Sequence, residues 1–140
     1  PWPTSEAVQG AMEAAMADAG IDPSCVDLVI AHGDGTDGDS NENEAIYRLF
    51  SGAGKPVEVY ASKGALGNLL AASPVVDAIL GICMMKKGII PATLPVAQWK
   101  SPAPLNLMRG KAIQKSPERV LINTRSHQGQ CVSLVISACR

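Results

Sequence analysis

The stretch Val26-Asp27-Leu28-Val29-Ile30-Ala31-His32-Gly33-Asp34-Gly35-Thr36 governs how the rest of this chain is read. Its first half, Val26 to Ile30, is short, apolar and rich in β-branched residues. That pattern predicts a buried strand, here Val26 to Ala31. The second half turns polar and places glycines on both sides of Asp34. A strand therefore delivers a histidine to a tight loop, and the chain has only two histidines, His32 and His127. Taken from these residues alone, His32 is equally a hydrogen-bonded turn residue or a functional one.

On the N-terminal side, Ser5 to Ala19 reads as a helix. Val8, Met12, Ala15, Met16 and Ala19 recur at helical spacing, Thr4 or Ser5 supplies the cap, and Gly20 stops it. On the C-terminal side, "DSNENEAIYRLFSG" predicts a second helix with Asp39 or Ser40 as cap and Gly52 as stop. Val57 to Ala61 follows as a strand. Gly67 to Gly88 reads as one long apolar, buried helix with Lys86 and Lys87 in its last turn, where cations suit the helix dipole. Pro91 to Pro117 carries five prolines and is expected to be mostly irregular. "RVLIN" and "CVSLVISA" close the chain as two strands around the polar loop Thr124 to Gln130. Strands alternating with helices predict an α/β layer fold: a mixed sheet with helices on both faces.

Composition narrows the function classes. The chain has 140 residues, 46% of them hydrophobic, which suits one domain, residues 1–140, with a substantial core. A charged fraction of 18% and a net charge of −1 argue against a nucleic-acid binder and against disorder. Cys25, Cys83, Cys131 and Cys139 are scattered, without the spacing of a zinc site or a disulfide framework, so no metal is expected. No secretory leader is read, and the apolar stretch is broken by Ser73, Pro74 and Asp77, which speaks against a membrane span. A cytoplasmic protein is expected.

The strand-end motifs carry a resemblance. Ala31-His32-Gly33-Asp34-Gly35-Thr36 is similar to an "AHGT.T" loop. Gly38, Asp39 and Glu42 match a following "GD..E". Ala61-Ser62-Lys63-Gly64 with Gly67 to Ser73 matches "STKS..GHLLGAAG". Gly88 to Leu94 resembles "G.IPPTLN", and "NTRSHQGQCVSLVI" aligns on "NSFGFGGHNATLVF". Five short motifs in order resemble the C-terminal half of a β-ketoacyl-acyl-carrier-protein synthase, of the thiolase-like superfamily.

The resemblance implies a function and a set of site residues. Such enzymes carry an acyl group on a cysteine, decarboxylate a malonyl thioester and join the two. Charge develops on the thioester oxygen, and neutral N–H donors stabilise it. His32 is implied as one donor. Asn68 stands where most of this subfamily has a second histidine, and its amide can also donate. From the residue alone, Asn68 is a helix cap. Lys63 and Glu42 are implied as a buried ion pair; Lys63 alone reads as a surface residue. Thr36 of the histidine loop is implied as substrate-binding, as are His127 and Gly129 in a turn that keeps only Gly129 of the family's "GFGG" run and replaces its aromatic positions with Arg125 and His127. His127 alone reads as an exposed loop residue.

No cofactor is implied. The implied partners are acyl carrier protein, acyl and malonyl thioesters, the nucleophile-bearing N-terminal half, and a second subunit in a homodimer or ketosynthase heterodimer. The family's central first strand is expected to be missing. The isolated chain is expected to be inactive and to associate through its long apolar helix. A second reading stays open, a non-catalytic partner subunit like a chain-length factor, favoured by Asn68 and the altered turn.

Overall fold

The computed structural model describes residues 2–94 and 105–139. Helix α1 spans Ser5–Asp18, and the Thr4 hydroxyl oxygen accepts the Ala7 N–H to cap it. Val8, Met12 and Met16 form its buried stripe. Strand β1 is Leu28–Ile30, shorter than the apolar run but buried at all three residues. Helix α2, Gly38–Phe50, begins just before the expected caps. Asp39 lies in its first turn, and its carboxylate accepts the N–H groups of Asp34 and Gly35 instead of capping.

Strand β2 is Val57–Tyr60, and the short helix α3, Lys63–Leu66, follows it. Helix α4 spans Ser73–Lys87, so the expected long helix is six residues shorter at its start. Gly67 at φ +78° and Leu70 at φ +54° break the helical path, and Pro74 sits in the first turn of α4, where its missing N–H costs nothing. Gly88 ends α4 in the left-handed conformation, its N–H donating to the Met84 carbonyl.

Strand β3 is Ile89–Ile90, β4 Leu105–Leu107, β5 Ile113–Gln114, β6 Arg119–Arg125 and β7 Cys131–Ser137. The proline-rich segment is thus more regular than expected at both its described ends, where Thr93 also bridges to Arg109. Its middle, residues 95–104, lies outside the described residues.

Five strands form one sheet in the order β4-β2-β1-β6-β7. β1 runs parallel to β2 and β6, and β2 parallel to β4. β6 and β7 are antiparallel because five residues join them, whereas the parallel pairs are joined through helices. β3 and β5 make a separate antiparallel pair. The sheet is mixed, with helices on both faces. Among the described residues no strand precedes α1, and the centre of the sheet is filled by β1, hydrogen-bonded on both sides.

Period-two alternation explains the two cores. Val29, Val57, Val59 and Leu121 pack against α1 and α2 with Met12, Ile46 and Phe50. Leu28, Ile30, Val120 and Ile122 face the other way, with Met84 of α4. Gly81 lets α4 approach closely; a Cβ there would stand 3.5 Å from Ile30 and Val120. Helix α4 is buried on its inner face only: Val75 is 62% exposed, with Ile79 and Ile82 also exposed beside it, which leaves uncovered the kind of apolar surface expected of this helix. Among the described residues no helix is long and apolar enough to cross a membrane.

Candidate functional site

Because β1, β2 and β6 are parallel, their C-terminal ends share one edge of the sheet. His32 follows β1, Lys63 follows β2 and Arg125 ends β6. In open α/β sheets this edge is where ligands bind.

His32 is buried. Its Nδ1 accepts the Arg125 backbone N–H at 3.4 Å, so a neutral ring carries its proton on Nε2. Nε2 stands 3.4 Å from an Asp34 carboxylate oxygen. Burial, with the Lys63 and Arg125 cations, pushes the imidazole pKa down to about 4, against the pull of Asp34. At neutral pH the ring is therefore an uncharged N–H donor.

Glu42 explains the loop's shape. Its two carboxylate oxygens accept the backbone N–H groups of His32 at 2.7 Å and of Gly33 at 3.2 Å. Burial raises its pKa above the usual carboxylate value, opposed by those bonds and by Arg125. The expected Lys63–Glu42 ion pair is not formed, and this is a correction. Glu42 instead faces Arg125, whose Nε is 3.7 Å away. Lys63 is buried and pairs with Asp77 of α4 at 3.5 Å, and Asp77 also accepts the Ser62 hydroxyl at 2.5 Å. The correction has a simple cause: Glu42 is held from the histidine loop and Arg125, while the chain's one acid in the apolar helix turns inward to Lys63. That isolated acid among Val, Ala, Ile and Leu was the signal for it.

Asn68 lies beyond α3, and its side-chain oxygen accepts the Leu70 N–H at 2.9 Å and the Ser73 hydroxyl at 3.3 Å. These two donors fix the amide's orientation and leave its NH2 available. Asn68 and His32 line one cavity of about 320 Å³, although they are 36 residues apart. Leu70, Ala71, Pro74 and Val132 give it an apolar wall; Asp34, Thr124, Arg125, Ser126 and Gln130 give it a polar one. His127 also lines it, exposed, with its ring 4.3 Å from Trp2. Thr36 and Gly129 are not among the lining residues. The Thr36 hydroxyl donates to Asp34 at 2.6 Å, and Gly129, at φ +84°, closes the β6–β7 turn through its N–H to Ser126. Cys131 borders the cavity, but its thiol points to the Ala7 carbonyl at 3.3 Å, and burial raises its pKa, the opposite of an activated nucleophile. Among the described residues no cluster of three or more His, Cys, Asp or Glu side chains is placed to hold a metal ion.

Comparison with known proteins decides the family. A family model, the β-ketoacyl synthase C-terminal domain, matches residues 1–97. The chain belongs to the β-ketoacyl synthase family. Within it, this domain is 40% identical over 95 residues to a 3-oxoacyl-[acyl-carrier-protein] synthase 2 of Staphylococcus aureus, covering 67% of the chain and 24% of that protein. It is 33% identical over 103 residues to nodulation protein E of a Rhizobium species, covering 73% and 25% respectively. A β-ketoacyl synthase of known structure from Burkholderia phymatum superposes with a TM-score of 0.89 at 32% identity, over 99% of this chain and 34% of that one. The ketoacyl synthase domain thus spans about a quarter of the length of the curated relatives it matches.

Proposed function

We propose that this domain is the C-terminal half of a condensing enzyme resembling 3-oxoacyl-acyl-carrier-protein synthases. The enzyme joins an acyl group to a malonyl unit by decarboxylative Claisen condensation, in fatty-acid or polyketide synthesis. The observation that carries the reading is the convergence of His32 and Asn68 on one cavity, with His32 held neutral.

In this reading the His32 Nε2–H and the Asn68 amide both donate to the malonyl thioester oxygen. As carbon dioxide leaves, the electron pair of the breaking bond forms an enolate whose charge sits on that oxygen. Neutral donors stabilise it without transferring a proton. The nascent carbanion attacks the acyl thioester on a nucleophile supplied by the remainder of the enzyme. Glu42 fixes the histidine loop, and the Lys63–Asp77 pair holds the start of α3 against α4. Acyl carrier protein delivers the thioesters. The exposed face of α4, with Val75 and Ile79, together with Leu70 just before the helix, is the surface on which the remainder of the enzyme packs, since apolar patches of this kind mark interfaces.

Malonyl-thioester decarboxylation by the full-length protein tests this. His32→Ala should lower kcat roughly 100- to 1000-fold, the cost of one oxyanion donor. Unchanged decarboxylation would refute the role. The altered turn, with Arg125 and His127 on the cavity wall, favours a second reading as a chain-length-factor-like partner. A full-length protein without a cysteine nucleophile, lacking decarboxylation on its own, would select it.

A further inference from the structure

Arg125 is the least expected group at the site. Its guanidinium belongs to a side chain only 2% exposed, yet it carries a full charge. It meets three carboxylates from two elements: Asp34 at 2.9 Å, Asp39 at closer contact, and Glu42 at 3.7 Å. Its other side lies against Trp2, 4.7 Å from the ring centroid. Gly38 makes room, since a Cβ there would overlap the guanidinium.

The histidine loop does not need Arg125 for its shape. Glu42 already binds the N–H groups of His32 and Gly33, and Asp39 those of Asp34 and Gly35. What Arg125 alone supplies, among the described residues, is an Arg or Lys partner in contact with the Asp34 carboxylate. One Asp34 oxygen takes the guanidinium and both donors of Thr36. The other oxygen is left 3.4 Å from His32 Nε2. A bare carboxylate at that position would draw the ring's proton and favour imidazolium. It would also set negative charge against any oxyanion in the cavity.

We propose that Arg125 is a positioning residue that neutralises Asp34 and thereby leaves His32 as a neutral Nε2–H donor facing the cavity. One residue acts twice: its backbone N–H holds Nδ1 and so sets the tautomer, and its side chain sets the charge beside Nε2. This rests on the reading of His32 as a donor. The charged groups around the ring are Asp34 on its own loop, Asp39 and Glu42 from α2, Lys63 from α3 and Arg125 from β6; His127 borders the same cavity. Two of these cations and burial outweigh Asp34, which agrees with the depressed imidazole pKa.

The test is nitrogen and carbon NMR of the His32 ring in the full-length protein, across a pH titration. The wild type should titrate far below ordinary histidine, in the Nε2–H tautomer. Arg125→Met should raise the His32 pKa by about one unit or more, because the opposing carboxylate is unmasked while a neighbouring cation is lost. Asp34→Asn in the Arg125→Met background should bring it back down. Arg125→Lys should preserve most of the depression, and Asp34→Asn alone should give no rise; these two carry the test if Arg125→Met does not fold. An unchanged His32 pKa in folded Arg125→Met, or a rise in Asp34→Asn, overturns the proposal. The readout does not depend on the reaction: the shift without malonyl decarboxylation would remove the condensing role and leave the charge-setting one, and decarboxylation without the shift would do the reverse.

Discussion

Replacing Asp77 by Leu isolates the energetics beneath the site. Asp77 is 1% exposed and makes two contacts, the Lys63 ammonium at 3.5 Å and the Ser62 hydroxyl at 2.5 Å. Asp77→Leu keeps the same branched four-atom side-chain shape with bulkier methyls in place of the oxygens, so no cavity opens and any added cost is crowding. It strands a buried cation, and breaking a buried pair from one side costs about 3–5 kcal/mol. It also leaves the Ser62 hydroxyl without its acceptor, for about 1 kcal/mol or more. The loss should appear as a fall of roughly 10 °C in the thermal midpoint of the full-length protein. Lys63→Met with Asp77→Leu removes both charges and should recover most of it, because a buried pair replaced by apolar groups is often neutral or better. Thermal denaturation of wild type, both single variants and the double variant gives the coupling directly. A single variant within about 1 kcal/mol of wild type, or a double variant no better than Asp77→Leu, would refute the buried-pair reasoning.

Three further outcomes follow from the same geometry. His32 has a folded pKa near 4, below its unfolded value, so the unfolded state binds a proton that the native state refuses. Its contribution is complete above about pH 6.5 and is lost as pH falls toward 4; Glu42 and Asp39, whose pKa values burial raises, act in the opposite sense. The difference in thermal midpoint between wild type and His32→Asn should therefore shrink across that window, and a difference constant with pH would contradict the assignment. Gly38→Ala should destabilise by about 1–3 kcal/mol and loosen Arg125, because its Cβ would stand 2.0 Å from the guanidinium; an unchanged thermal midpoint would show that the side chain yields freely. Val75→Glu with Ile79→Glu should abolish packing of the domain against the remainder of the proposed enzyme, read as loss of soluble full-length protein, while the charge-removing changes Glu13→Gln and Asp18→Asn at exposed positions of α1 should not.

How the chain would fold was largely legible from local pattern. Strand β1, helix α1 and the β6–β7 pair follow from β-branched runs, 3.6-residue periodicity and a short polar connection, all of which act between near neighbours in the chain. The placing of His32 and Asn68 on one cavity follows from the strand-end motifs, since parallel strands bring their C-terminal ends to one edge. The continuity of the sheet through β1 and the break before α4 were not legible. The first depends on pairing between segments some 90 residues apart, and the second on left-handed backbone at Leu70, a conformation that leucine's own preference disfavours.

The partners of the charges were decided only in three dimensions. Sequence order pairs Lys63 with Glu42 as easily as with Asp77, because each acid lies within about one helix of it. Only the fold shows that Arg125, 83 residues beyond Glu42, arrives on β6 to meet the acids of α2 and the histidine loop. A buried charge is satisfied by whichever counter-charge the packing brings within a few ångströms, and packing is a property of the whole sheet. The sequence by itself determined which groups stand at the strand ends. The tertiary structure decided which of them neutralise one another, and therefore that the histidine among them remains uncharged.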